Sequence, residues 1–114
     1  MSKFNFVDLF CGAGGLSCGL EMSGMTCVLG TDQDKAAIDT FQKNHPDAQT
    51  FEDDISKLTK AKLKKATGGK KIHLVCGGPP CQGMSTAGLG IPDDPRNFLF
   101  LEFVRIVEEL KPDY

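Results

Sequence analysis

The run Phe4-Asn5-Phe6-Val7-Asp8-Leu9-Phe10 passes directly into Cys11-Gly12-Ala13-Gly14-Gly15-Leu16, and few folds accept that order. A short, nearly continuous apolar run reads as a strand buried on both faces, the condition of a parallel sheet covered by helices. The glycines then turn the chain into a helix at about 15–23, with Leu16 and Leu20 one turn apart and Gly24 as its stop. Such a turn lets a ligand sit against bare backbone at the positive end of a helix dipole. The dinucleotide pattern G-x-G-x-x-G is left incomplete, because Ser17 stands where the third glycine belongs.

Strands and helices continue to alternate. Cys27–Thr31 reads as a second buried strand ending at Asp32, and Asp34 can cap a helix through Ala37, Ile38 and Phe41 to Asn44, which His45-Pro46 ends. A short third strand is expected near 49–51, then a lysine-rich helix at about 55–66 and a Gly68-Gly69 turn. Ile72–Cys76 is the fourth strand. A loop of about 20 residues follows, with glycines at 83, 88 and 90. Asn97–Leu110 is the clearest helix, largely apolar, with Glu102, Arg105 and Glu109 forming one polar stripe. This alternation predicts an α/β fold, a Rossmann-like, doubly wound, mainly parallel sheet. In it, ligands bind beyond the carboxyl ends of the strands.

Composition narrows the classes. A chain of 114 residues with 40% apolar content is one globular domain at most. It has no run of 18 apolar residues and no basic-then-apolar leader, so no membrane span or secretion signal is expected. Five cysteines (11, 18, 27, 76, 81) without a C-x-x-C pair, beside two histidines, argue against a metal site and for reduced thiols in a cytosolic compartment. The net charge of −2 gives no general attraction to nucleic acid. Seven of the thirteen basic residues fall between Lys57 and Lys71; they read as a solvated helix face, with phosphate contact the alternative.

The segment Cys76-Gly77-Gly78-Pro79-Pro80-Cys81-Gln82-Gly83-Met84-Ser85 carries chemistry. Two prolines fix φ and donate no hydrogen bond, so Cys81 is presented on stiff backbone, while glycines on both sides allow close approach. A nucleophilic thiol and an inert, half-buried one are about equally compatible with this pattern. Asp32 lies 20 residues after Gly12, where a carboxylate can accept from a ribose or simply serve a turn. Asp54 can be a ligand or the N-cap of the helix that follows.

Taken together, Asp8-Leu9-Phe10-Cys11-Gly12-Ala13-Gly14-Gly15 and Gly78-Pro79-Pro80-Cys81-Gln82-Gly83-Met84-Ser85 resemble the first motif and the catalytic motif of the C5-cytosine-specific DNA methyltransferases. The spacing suits the family, and the resemblance covers almost the whole chain. It implies that residues 1–114 are the N-terminal, cofactor-binding and catalytic-loop portion of a methyltransferase domain, with the target-recognition region absent. It implies S-adenosylmethionine as cofactor, S-adenosylhomocysteine as product and double-stranded DNA as partner. The setting is a restriction–modification system, with a cytoplasmic location in a bacterium or a nuclear one in a eukaryote.

The resemblance also assigns residues. Phe10, Gly12, Ala13 and Gly15 match cofactor-loop positions, with Asp8 beside the methionine end. Asp32 takes the ribose and Gln33 lies beside the adenine, where the family more often has glutamate and a large apolar residue. Asp54 takes the adenine amino group and Ile55 packs on the ring; Gly78, Pro80 and Leu99 also face the cofactor. Cys81 is the implied nucleophile that adds to C6 of a flipped cytosine, and the loop 82–96 closes over the base. Cys76 is read as core. The family's glutamate strand would begin just after Pro112-Asp113-Tyr114, so the fourth strand is expected to lack its outer neighbour. The chain is expected to be inactive alone, completed by further chain or a complementing C-terminal polypeptide. A catalytically inactive cofactor-binding or regulatory module is the alternative; an NAD(P)-dependent oxidoreductase is weaker still.

Overall fold

A computed structural model describes residues 4–78 and 97–114. Pro79, Pro80, Cys81 and the loop to residue 96 lie outside the described residues.

Four strands form one parallel sheet in the order β3-β2-β1-β4. They are β1 (Asn5–Leu9), β2 (Thr26–Asp32), β3 (Gln49–Glu52) and β4 (Leu74–Gly77). Helices α1 (Gly15–Met22), α2 (Lys35–Asn44), α3 (Lys60–Thr67) and α4 (Asn97–Leu110) cover it. β1 is central, with every residue from Phe6 to Leu9 buried. Its alternating side chains feed two cores. Val7 and Leu9 meet Leu29, Leu58, Leu63 and Ile106 on the α3/α4 face. Phe6 joins Cys27, Ile38 and Phe41 on the other, beside α1 and α2. The doubly wound α/β fold expected from the alternation is the one observed.

Two boundaries differ from the sequence reading, each for a local reason. The expected helix at 55–66 is broken: a 3₁₀ turn at Ile55–Lys57 is followed by Leu58 in a non-helical conformation (φ −81°, ψ 82°), and α3 begins after Thr59. Asp54 and Thr59 each cap a start, and Leu58 is buried between them. The fourth strand runs through Gly77, whose φ of 152° suits glycine and whose missing Cβ would lie 2.0 Å from the Leu9 carbonyl oxygen.

No further strand lies outside β4 among the described residues. Its edge is met at one position: Tyr114 donates its N–H to the His73 carbonyl (3.0 Å), and its carbonyl accepts from Val75 N–H (3.2 Å). That pair of bonds is the parallel-ladder pattern beside Leu74. The lysines of α3 lie on its exposed side around buried Leu63, as a solvated face requires.

Candidate functional site

The glycine turn sits where β1 and β2 end side by side. Phe10 leaves the strand with φ 56°, a left-handed conformation uncommon for a bulky residue. Its N–H reaches Thr31 Oγ1 at 3.4 Å, and Cys11 N–H donates to the Thr31 carbonyl at 2.8 Å. Asp32, one residue on, bridges two loops. Its Oδ2 accepts Gly12 N–H and its Oδ1 accepts Asp34 N–H, both at 2.9 Å. The carboxylate predicted to meet a ribose therefore also ties the glycine turn to the end of β2.

Beside this turn a cavity of about 280 Å³ opens at the carboxyl end of the sheet. Phe10, Asp32, Gln33, Ile55, Gly78 and Leu99 line it, together with Thr31 and Asp53. Six residues singled out in the sequence, spread from position 10 to 99, thus converge on one hollow beside the β1/β4 switch point. An apolar wall of Phe10, Ile55 and Leu99 beside the carboxylates of Asp32 and Asp53 fits a flat aromatic ring joined to a hydroxyl-bearing sugar. A larger concavity of about 810 Å³ lies at the opposite end of the strands, near Thr26, Gln49, Lys65 and Gly68. It holds none of the predicted residues, and its size reflects its open shape.

The remaining sequence candidates are placed differently. Gly12, Ala13 and Gly15 are in the turn, outside the cavity lining. Asp54 caps the 3₁₀ turn, its Oδ1 accepting Ser56 N–H and Ser56 Oγ–H at 2.9 Å each, and these bonds hold its carboxyl below the usual range. Its neighbour Asp53 faces the cavity instead. Asp8 is 1% exposed and lies beneath the turn. It accepts from Ser17 Oγ at 2.7 Å, and burial raises its carboxyl above the ordinary range despite that bond. Pro80 and Cys81 fall outside the described residues.

Among the described thiols, burial pushes Cys11, Cys27 and Cys76 up to about 12. They are protonated and unreactive at neutral pH. Cys76, read as core in the sequence, is half-buried: its Sγ lies 3.6 Å from the Val7 carbonyl and it packs against the Phe6–Phe41 core. No group of three His, Cys, Asp or Glu side chains able to hold a metal occurs among the described residues.

Three residues around the turn escaped the sequence reading. Ser17 is the buried residue of α1, where the Leu16/Leu20 spacing suggested an apolar stripe; Leu16 is 50% exposed. His45, taken only as the end of α2, reaches the Gly14 carbonyl. Arg105, seen as part of a surface stripe, donates to the Ile55 carbonyl. Each works through a hydrogen bond to a distant residue, which hydrophobic spacing does not encode.

A parallel α/β sheet with a glycine turn and an acidic residue ending the second strand is the arrangement shared by doubly wound nucleotide-binding domains. The C-5 cytosine-specific DNA methylase family model matches residues 4–114, and the chain belongs to that family. It is 41% identical, over 98% of its length, to Type II methyltransferase M1.HphI of Haemophilus parahaemolyticus, of which it spans 31%. It is 40% identical to Type II methyltransferase M.AquIA of a Picosynechococcus species, covering 93% of this chain and 44% of that one. A DNA modification methyltransferase encoded within an E. coli prophage superposes with a TM-score of 0.82 at 37% identity, covering 96% of this chain and 30% of that one. Spodoptera frugiperda DNMT2 superposes at 0.66 with 27% identity, over 95% of this chain and 32% of that one. The chain thus spans less than half the length of these relatives.

Proposed function

We propose that this chain forms the cofactor-binding and nucleophile-presenting part of a DNA (cytosine-5)-methyltransferase. One observation carries the reading: Phe10, Asp32, Gln33, Ile55, Gly78 and Leu99 surround one cavity, and Cys81 follows Gly78 by three residues. Three residues of extended chain span at most about 11 Å, which bounds how far along the chain Cys81 can be from Gly78. S-adenosylmethionine would supply an electrophilic methyl group there. Asp32 would accept from the ribose hydroxyls, Phe10, Ile55 and Leu99 would flank the adenine with Gln33 at its edge, and Gly12, Ala13 and Gly15 would offer bare backbone. Asp8 acts from below, through the turn.

Cytosine C5 is too weakly nucleophilic to take a methyl group unaided. The Cys81 thiolate would add to C6 of a flipped base and raise the electron density at C5, and S-adenosylmethionine would supply the methyl group that C5 takes. Loss of the C5 proton to a base and expulsion of Cys81 restore the aromatic ring. The raised thiols of Cys11, Cys27 and Cys76 count against them as nucleophiles, and exposed Cys18 lies on α1 outside the cavity lining, which supports Cys81. The bacterial relatives support a cytoplasmic restriction–modification role, and no helix among the described residues is long and apolar enough to cross a membrane.

Residues 1–114 alone are expected to transfer almost no methyl groups. Exposed Phe98 and Leu101 on α4, together with the fraction of the relatives' length spanned, support completion by further chain or by a complementing polypeptide. The test is covalent trapping of the intact enzyme on duplex DNA containing 5-fluorocytosine, with S-adenosylmethionine present. Cys81→Ser should abolish the adduct and Cys76→Ser should leave it. An adduct formed by the Cys81→Ser enzyme would overturn the assignment. A wild-type enzyme that binds S-adenosylhomocysteine yet forms no adduct would favour an inactive cofactor-binding module.

A further inference from the structure

His45 does more than end α2. Its backbone N–H closes the helix on the Phe41 carbonyl at 2.9 Å, and its ring packs against the Phe41 ring with centroids 4.6 Å apart. The residue is 4% exposed, and burying an imidazole is costly unless its nitrogens find partners. Both do. Nε2 lies 3.2 Å from the Gly14 carbonyl oxygen, and Nδ1 contacts Glu21 Oε1.

Those two partners stand at the two ends of α1: Gly14 is its N-cap and Glu21 is in its last turn. Gly14 has φ 95°, and a Cβ on it would fall 2.7 Å from Phe41 Cδ2 and 2.8 Å from His45 Nε2. The turn is therefore pressed onto the Phe41–His45 pair on one side, while Gly12 N–H is held by Asp32 on the other. The carboxylates whose fields reach the ring are Glu21 from α1 and Asp8 from β1.

We propose that His45 is a positioning residue for the cofactor: its two ring nitrogens donate to the Gly14 carbonyl and to Glu21 Oε1, and Gly12–Gly15 is thereby kept in its ligand-accepting shape. This rests on the cofactor reading above. His45 touches no reacting atom, so its loss should weaken cofactor binding and spare the chemical step.

The test uses the intact methyltransferase with His45→Phe, His45→Gln and Glu21→Leu, titrated calorimetrically with S-adenosylhomocysteine and melted without it. Phenylalanine keeps the ring against Phe41 but neither hydrogen bond; glutamine restores an N–H near the place of Nε2. The expected result is about a tenfold weaker Kd for His45→Phe, within about threefold of wild type for His45→Gln, and an intermediate loss for Glu21→Leu. KM for S-adenosylmethionine should follow Kd while kcat changes less. Should His45→Phe fail to fold, Glu21→Leu alters only a surface partner and carries the comparison. Wild-type affinity in His45→Phe or, if that protein is unfolded, in Glu21→Leu would overturn the clamp alone. So would equal weakening by phenylalanine and glutamine. A wild-type enzyme blind to S-adenosylhomocysteine would overturn the cofactor reading and the clamp with it.

Discussion

Arg105 Nη2 donates to the Ile55 carbonyl oxygen at 3.1 Å, joining the middle of α4 to the 3₁₀ turn that forms one wall of the cavity. The same guanidinium is steered by Glu102 at 2.7 Å and Glu109 at 3.3 Å. The surface stripe is thus a strut with its working end turned inward. Arg105→Met should cost about 1.5–3 kcal/mol of stability, as for a hydrogen bond to a charged group, and weaken S-adenosylhomocysteine binding several-fold. Lysine should not restore either, because one ammonium cannot span three acceptors in a plane. Urea unfolding and calorimetry on the intact enzyme check both.

Asp32 uses each carboxylate oxygen on a different loop, Gly12 N–H and Asp34 N–H. Asp32→Asn keeps one acceptor and turns the other into a donor facing an N–H. The expected outcome is S-adenosylhomocysteine affinity lowered by more than about tenfold, with a loss of about 1–2 kcal/mol in stability from the loosened turn. Calorimetric titration showing wild-type affinity would remove Asp32 from the site.

Two glycines should separate ligand access from folding. Gly77→Ala would drive a Cβ to 2.0 Å from the Leu9 carbonyl oxygen and should fail to fold or lose more than about 3 kcal/mol. A Cβ on Gly15 meets nothing within 4 Å, and alanine at that helical position favours the helix by about 0.5–1 kcal/mol. Gly15→Ala should therefore melt no lower than wild type yet bind cofactor more weakly, because its methyl occupies the face the ligand needs.

Burial raises the Asp8 carboxyl above its ordinary value, and Ser17 offsets this only in part. A carboxyl with a folded value above its unfolded one opposes folding when ionised. That penalty is absent below the unfolded value and grows as pH rises through the folded one. Asp8→Asn still accepts from Ser17 and carries no charge. It should melt at the same or a higher temperature than wild type at pH 7, the gap closing toward pH 4. A variant that melts far lower at pH 7 would show the ionised carboxylate to be stabilising.

The sheet and most cavity residues could be read in the sequence because they follow from local rules. Phe4–Leu9 is apolar enough to be buried on both faces, and Asp32, Ile55 and Gly78 each fall at or just beyond the end of a strand. What escaped was polar and distant in sequence. Ser17 serves Asp8, His45 serves Gly14, and Arg105 serves Ile55; no spacing rule ties such pairs. Apolar spacing even misled at Leu16, which faces solvent while Ser17 turns inward. Gly77 was read as a place for another molecule to approach, whereas the group that approaches is the Leu9 carbonyl.

The register of the central strand also sets an order in time. Phe6 pairs with Cys27 on one side and with Leu74 on the other. Closing the longer of these loops costs about 1 kcal/mol more in chain entropy. In refolding, the pairing that brings Asp32 against Gly12 is therefore expected to precede the docking of β4. The half of the cavity that Phe10 and Asp32 line would be assembled before β4 had docked. A ligand present early in synthesis would meet a partly built pocket, its β1–β2 side standing and its β4 side still to come.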